Sequence, residues 1–242
     1  MPDGTDSLNK TVGTLIKTTL VDFPGRVSCS VFLTGCNLRC PYCYNKDLVF
    51  NTLQKNDSVT LQEIFNHIEK RKGILQGLVI SGGEALLNPY TPVLIKKAKS
   101  LGYKIKLDTN GSLPEKLSEL INSKDLSPDY VAMDIKCSKE KISLLHGNNF
   151  LWENICKSIK ILSTLPKEKR EWRTVLVPPI IAKEDIKTIA QLLPKDASWF
   201  FSSFAPGSCL EKSYNSVLPY TNAQEEEIIS FAKTFIKGAS KR

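Results

Sequence analysis

The chain of 242 residues is 41% hydrophobic, enough apolar material for one substantial core and a single domain. No stretch approaches the ~20 consecutive apolar residues of a membrane span, and the opening residues lack the basic-then-apolar order of a signal peptide, so a cytoplasmic protein without a membrane segment is expected. The formal charge of +8 is spread over helical patterns such as Ile95-Lys96-Lys97-Ala98-Lys99, which read as solvated faces; no zinc-finger or RNA-binding signature accompanies it, and no nucleic-acid partner is expected.

In chain order, the first apolar run rich in β-branched residues predicts a strand over Val27–Leu33. Three cysteines follow, and then the clearest helix pattern, Thr60–Lys72. There Thr60 and Glu63 have capping-box spacing, Leu61, Ile64, Phe65 and Ile68 share a face, and Gly73 stops the pattern. Strands are then predicted at Leu78–Ser81, Ile105–Thr109, Tyr130–Lys136, Trp172–Val177 and Trp199–Phe204. Helices are predicted between and after them at Thr91–Leu101, Pro114–Asn122, Trp152–Leu165, Asp185–Leu193 and Ala223–Lys237. Six alternations of strand and helix indicate an α/β fold with parallel βα pairs. Six are too few for the eight-stranded barrel, so the expected architecture is an incomplete (β/α)6 TIM-like barrel, with a doubly wound sheet as the alternative. In either, function gathers at the C-terminal ends of the strands. The unusual residues fall there: Cys36, Cys40 and Cys43 after the first strand, Gly82-Gly83-Glu84 after the second, Asp108 at the third, and Asp134-Ile135-Lys136 at the fourth. Arg173 and Val177-Pro178-Pro179 belong to the fifth, and Ala205-Pro206-Gly207 follows the sixth.

Seven cysteines, three of them within eight residues, read in a reducing compartment as metal ligands rather than as a disulfide framework. Closing so short a loop costs little entropy. Three thiolates suit a [4Fe–4S] cube, because they leave one of its irons open for a small molecule; structural zinc would call for a fourth Cys or His. Cys29, in an alternating strand, and Cys156, in a helix pattern, read as small core residues.

The Cys36-x-x-x-Cys40-x-x-Cys43 loop resembles that of the radical S-adenosylmethionine (SAM) superfamily. Together with Val21-Asp22-Phe23-Pro24-Gly25 and Val31–Cys43, it is similar to the opening of glycyl-radical-enzyme activating enzymes. Within these the similarity is greatest to the activating proteins of anaerobic ribonucleoside-triphosphate reductase, with the pyruvate formate-lyase activating enzyme a close relative; matching segments run from about Val21 to Phe235. The resemblance implies the radical SAM fold and a [4Fe–4S] cluster on Cys36, Cys40 and Cys43. SAM would chelate the open iron and be cleaved reductively to a deoxyadenosyl radical, which abstracts hydrogen from a partner's glycine. Among the site residues, Gly82, Gly83 and Glu84 match the segment receiving the SAM amino group, where glycines allow close backbone approach and a carboxylate complements an ammonium. Tyr42 matches a position that packs on adenine, and Tyr44 follows on the same loop. Asp134, Ile135 and Lys136 match a segment beside SAM, and Asp108 falls in an Asp-Thr-Asn-Gly segment. The implied partners are a glycyl-radical enzyme as protein substrate and a flavodoxin- or ferredoxin-type electron donor. The competing enzymatic expectation is a radical SAM enzyme acting on a small molecule, such as a deazaguanine-forming ring contraction. The sequence departs from the resembled pattern at Phe204-Ala205-Pro206, where relatives often carry His or Arg, and at Pro179, where Gly is usual.

Overall fold

The computed structural model describes residues 8–242. The chain divides into two compact units. One consists of the segments up to Asn37, Asp47–Asp108 and Glu119–Tyr130, the other of Leu38–Lys46, Thr109–Ser118 and Val131–Arg242.

Apart from residues at element ends, the first unit holds β1 (Thr11–Thr19), β2 (Ser28–Leu33), α1 (Lys46–Phe50), β3 (Val59–Thr60), α2 (Leu61–Lys70), β4 (Gly77–Gly82), α3 (Thr91–Ser100) and β5 (Lys104–Thr109); α4 (Pro114–Asn122) is divided between the units. The strands run in the order β3-β1-β2-β4-β5. β1 pairs antiparallel with β2 and β3, while β2, β4 and β5 are parallel. β2 and β4 are nearly continuous apolar or small-residue runs with almost every position buried, as strands covered on both faces must be. The α2 capping box forms as the spacing predicts: Glu63 N donates to Thr60 Oγ1 (3.2 Å) and Thr60 N to Glu63 Oε2 (2.7 Å). The Asp22-Phe23-Pro24-Gly25 segment serves this unit's packing. Asp22 Oδ2 accepts from Ser30 Oγ at 2.6 Å. Phe23 is 3% exposed and fills the space that a Cβ on Gly77 would enter, with Phe23 Cδ1 2.6 Å from that point. Truncating such a buried ring costs about 3–5 kcal/mol.

The second unit holds β6 (Tyr130–Asp134), α5 (Asn149–Ser163), β7 (Arg170–Leu176), α6 (Lys183–Ala190), β8 (Ser198–Ser203), α7 (Asn222–Lys233) and β9 (Gly238–Lys241). Its strands are parallel in the order β6-β7-β8-β9. The fully buried Trp172 and Trp199 dominate its core, with Trp199 Nε1 donating to Thr174 Oγ1 at 3.0 Å. β9 is pinned by Arg242, whose fork meets both oxygens of the fully buried Glu171 at 2.7 and 2.8 Å.

The α/β class expected from the sequence is the class observed. The differences are local. β1 and β9 are absent from the sequence expectation, because β1 is half exposed and interrupted by Gly13, and β9 is only four residues long. The strand expected to reach Lys136 ends at Asp134, so Ile135 and Lys136 lie just past it. α5 starts at Asn149 rather than Trp152, because the Asn148 side chain caps it by accepting from Leu151 N at 3.0 Å. α2 and α7 stop at Lys70 and Lys233, short of the expected Lys72 and Lys237, and α6 spans Lys183–Ala190 rather than Asp185–Leu193. No helix among the described residues is long and apolar enough to cross a membrane.

Candidate functional site

In the first unit, parallel pairing sets Leu33 beside Gly82, so the turn after β4 meets the start of the cysteine loop. Gly83 N donates to Leu33 O (2.9 Å) and Glu84 N to Gly35 O (2.8 Å). Contact this close requires glycine: a Cβ on Gly83 would lie 2.2 Å from Gly35 O and 3.1 Å from Cys36 Cβ. One on Gly82, whose φ is +126°, would lie 2.2 Å from Leu33 N and O. The chain itself therefore needs both glycines, whatever ligand they also meet. Glu84 is 1% exposed, and its Oε1 accepts from Leu86 N at 3.0 Å, capping the short turn over Ala85–Leu87. Asp108, at the end of β5, accepts from Lys106 Nζ at 2.5 Å, and Lys106 is 1% exposed. A buried lysine supplies fixed positive charge beside this carboxylate. The period-2 spacing of Lys106 and Asp108 on one strand face was a signal available in the sequence.

In the second unit, three segments distant in sequence converge. Asp134, at the end of β6, accepts from Arg173 Nε (2.7 Å) on β7 and from Lys136 Nζ (3.2 Å). Burial alone would raise the Asp134 pKa, but the two cations, by charge and hydrogen bonding, hold it well below the usual carboxylate range. Lys136 moves the other way. Burial opposes its charge, yet Asp134 and the acidic groups of Tyr42, Cys40 and Cys43 raise it well above the ordinary lysine value. Tyr42 is 4% exposed, and its hydroxyl is buried without a hydrogen-bond partner among the described residues. Burial, then the neighbouring Cys40, pushes the phenol well upward, with Lys136 pulling the other way. Tyr42, Cys40, Asp134 and Lys136 thus share one neighbourhood. Ile135 is buried, its N–H on Arg173 O (2.8 Å) and its carbonyl accepting from Thr174 Oγ1 (3.0 Å). Arg173 belongs to none of the sequence motifs, although it stands among the unusual residues of the fifth strand.

Tyr44 is placed differently from Tyr42. It is about half exposed, its ring stacks on Phe204 (6.4 Å, 13°), and its hydroxyl accepts from Ala205 N at 2.9 Å. Glu211 N donates to Pro41 O (2.9 Å), so residues 204–211 are tied to the cysteine loop at two points. Pro179 is accommodated without strain: Ile180 N and Ile181 N both reach Val177 O, at 2.9 and 2.8 Å.

Cys40 is buried, Cys36 and Cys43 are partly exposed, and Cys43 N donates to Cys40 O (3.0 Å), closing a turn that carries the second and third cysteines. Three thiols on one short loop are the donor chemistry an iron–sulfur cube requires. Among the described residues, no three His, Cys, Asp or Glu side chains are drawn together as a metal group. Cys29 and Cys137 do not compete well: burial pushes their thiols up to about 12, away from the thiolate form a metal needs.

The family model described as the radical SAM superfamily matches residues 30–193. A protein of Methanocaldococcus jannaschii named as a glycyl-radical enzyme activating enzyme is 33% identical over 230 residues, 93% of this chain and 92% of that protein. The pyruvate formate-lyase-activating enzyme of Clostridium pasteurianum is 28% identical over 72% of each chain. A 7-carboxy-7-deazaguanine synthase of Hyperthermus butylicus is 37% identical over only 38% of each. Among solved structures, the chain shares its fold with Escherichia coli coproporphyrinogen III oxidase (TM-score 0.59, 15% identity, 90% of this chain and 54% of that one). It does so also with a TYW1 structure bearing a lysine-pyruvate adduct (TM-score 0.58, 14% identity, 87% and 73%).

Proposed function

Because the chain belongs to the radical SAM superfamily, among its glycyl-radical-enzyme activating enzymes, we propose that the glycyl-radical enzyme it activates is an anaerobic ribonucleoside-triphosphate reductase. The protein is a radical SAM enzyme that uses a [4Fe–4S] cluster and SAM. When bound, these cofactors supply the reductive cleavage and hydrogen abstraction that leave a radical on the partner's glycine.

In this reading Cys36, Cys40 and Cys43 hold the cluster. Gly82 and Gly83 present backbone to SAM, while Lys136, and Arg173 through Asp134, set the charge around it. Glu84 shapes the turn by capping it, and Asp108 stands with its buried lysine at the end of β5. Tyr42, with a phenol that burial keeps protonated, contributes an apolar face and one unspent hydroxyl. The observation that carries the reading is the seating of Gly83 and Glu84 on Leu33 and Gly35, which joins the Gly-Gly-Glu turn by hydrogen bonds to the residue just before the first cysteine. The reductase as partner is supported by similarity in the Asp22–Gly25 opening and through Trp172–Val177; pyruvate formate-lyase is the second candidate, supported by the relative from C. pasteurianum. The electron donor is proposed to be a flavodoxin or ferredoxin, and the compartment the cytoplasm. The partial similarity to a deazaguanine synthase favours a small-molecule substrate as the competing reading, over a much shorter stretch of chain.

The test is anaerobic incubation of the reconstituted enzyme with SAM, dithionite and a reductase labelled with deuterium at its glycine α-carbons. Deuterium in 5′-deoxyadenosine together with a glycyl doublet in electron paramagnetic resonance is the expected result. If the doublet arises only with pyruvate formate-lyase, the partner assignment moves there. SAM cleavage without transfer from any glycyl-radical enzyme would reject a protein substrate.

A further inference from the structure

The first unit carries a groove of about 890 Å³ bordered by β1, the loop before β3, and α2. The β3 pairing of β1 stops at Gly13, and from Thr14 to Thr18 the strand runs along the groove. Its lining is rich in cations and hydroxyls: Lys17, Thr18, Ser58, His67, Lys70 and Arg71. Two acidic residues also line it. Glu63 is engaged by the α2 cap, accepting from Thr60 N and Oγ1 at 2.7 and 2.9 Å, and Asp57 is exposed on the loop before β3. Positive charge therefore prevails within the groove.

Two details show that this charge is arranged rather than merely exposed. Arg71 Nε is shut off from solvent and has no hydrogen-bond partner among the described residues, a donor state that folded proteins rarely leave unmet. His67 Nε2 lies 2.9 Å from Lys17 O, so this nitrogen carries the proton and donates, leaving Nδ1 as the one that titrates. Burial, with the charges of Arg71 and Lys17, holds the imidazole below its ordinary value even though the bond to Lys17 O favours protonation. His67 thus feels the charges of both Lys17 and Arg71, and an anion beside these two cations would offset them.

We propose that this groove binds a small phosphorylated molecule, whose phosphate is held by Lys17 and Arg71. The volume falls within the ~300–1,000 Å³ usual for small-molecule sites. A guanidinium, ammonium groups and hydroxyls together offer more donors than one carboxylate accepts, and they match the three terminal oxygens of a phosphate. None of these residues is assigned to the cluster or to SAM, so the site and its test are independent of the radical chemistry.

The experiment is calorimetric titration of the full chain with ATP, with inorganic phosphate and with adenosine, repeated for Lys17→Gln and Arg71→Gln. Saturable binding of ATP or phosphate is expected, weakened about tenfold or more in each variant, the loss typical of one charge-assisted hydrogen bond. ATP binding tighter than phosphate would identify a nucleotide as the source of the group, and equal affinities would identify the phosphate alone. Lys17 is an exposed strand residue, so its substitution leaves the core intact, and thermal melts check that both variants are folded. Absence of saturable binding at millimolar phosphate and ATP overturns the proposal. So does binding by adenosine alone, or binding indifferent to both substitutions.

Discussion

Replacing Gly83 with alanine tests whether the Gly82–Glu84 turn and the cysteine loop are one piece. The added Cβ would sit 2.2 Å from Gly35 O and 2.7 Å from Gly35 C, both backbone atoms that cannot swing away as a side-chain end can. Ordinary carbon contacts lie near ~3.5 Å, so the loop must retreat by roughly 1 Å. Overpacking of this kind costs about 1–3 kcal/mol. Retreat of Gly35 also breaks the 2.8 Å bond from Glu84 N, worth about 1 kcal/mol more. The sum, about 2–4 kcal/mol, corresponds to a fall in Tm of roughly 4–16 °C for a chain of this size. Since Cys36 follows Gly35, iron retention after anaerobic reconstitution should fall as well. Gly102→Ala is the control. Nothing lies within 4 Å of its added Cβ, and only its φ of +89° opposes the change, so its cost should be near ~1 kcal/mol with iron content unchanged. Circular dichroism melts and iron assays of both variants decide the matter. A Gly83→Ala protein with the parent's Tm and iron, impaired only in SAM affinity, would refute the argument and return the glycine to the ligand.

Cys36→Ala, Cys40→Ala and Cys43→Ala should each abolish a cluster of about four irons and four sulfides, while alanine at Cys29, Cys137, Cys156 or Cys209 should leave it in place; iron and sulfide analysis reads the difference. Arg173→Met should destabilise the protein by about 1–3 kcal/mol at neutral pH by removing one of the cations on Asp134. Because the Asp134 carboxyl is depressed in the folded state, that difference should be complete above the unfolded value of 3.8 and shrink as pH falls below it, which denaturant titrations between pH 7 and pH 3 would show. A difference that grew in acid would contradict the pairing. Tyr44→Phe keeps the ring on Phe204 but loses the acceptor for Ala205 N, so hydrogen exchange at Ala205 should accelerate while iron content stays constant; unchanged exchange would mean that the hydroxyl does not anchor residues 204–211.

Much of this protein was determined by local pattern. The α2 capping box, the parallel βα alternation, the three-cysteine loop and the position of the Gly-Gly-Glu segment at the C-terminal end of a strand all follow from residue spacing, because backbone periodicity and turn chemistry act over a few residues. What spacing could not reveal was which distant groups meet. That Arg173 rather than solvent answers Asp134, that Lys106 is buried against Asp108, and that Tyr44 secures Ala205 depend on strand register and loop packing across tens of residues. The same holds for the glycines. Their sequence suggested room for a ligand, and the fold shows that Gly82 and Gly83 are already required by Leu33 and Gly35, since parallel pairing of β2 with β4 leaves no volume there for a side chain. β1 and β9 were hidden for the same reason: the first half exposed and the second only four residues long, they owe their structure to neighbours, and only the tertiary fold brings those neighbours to them.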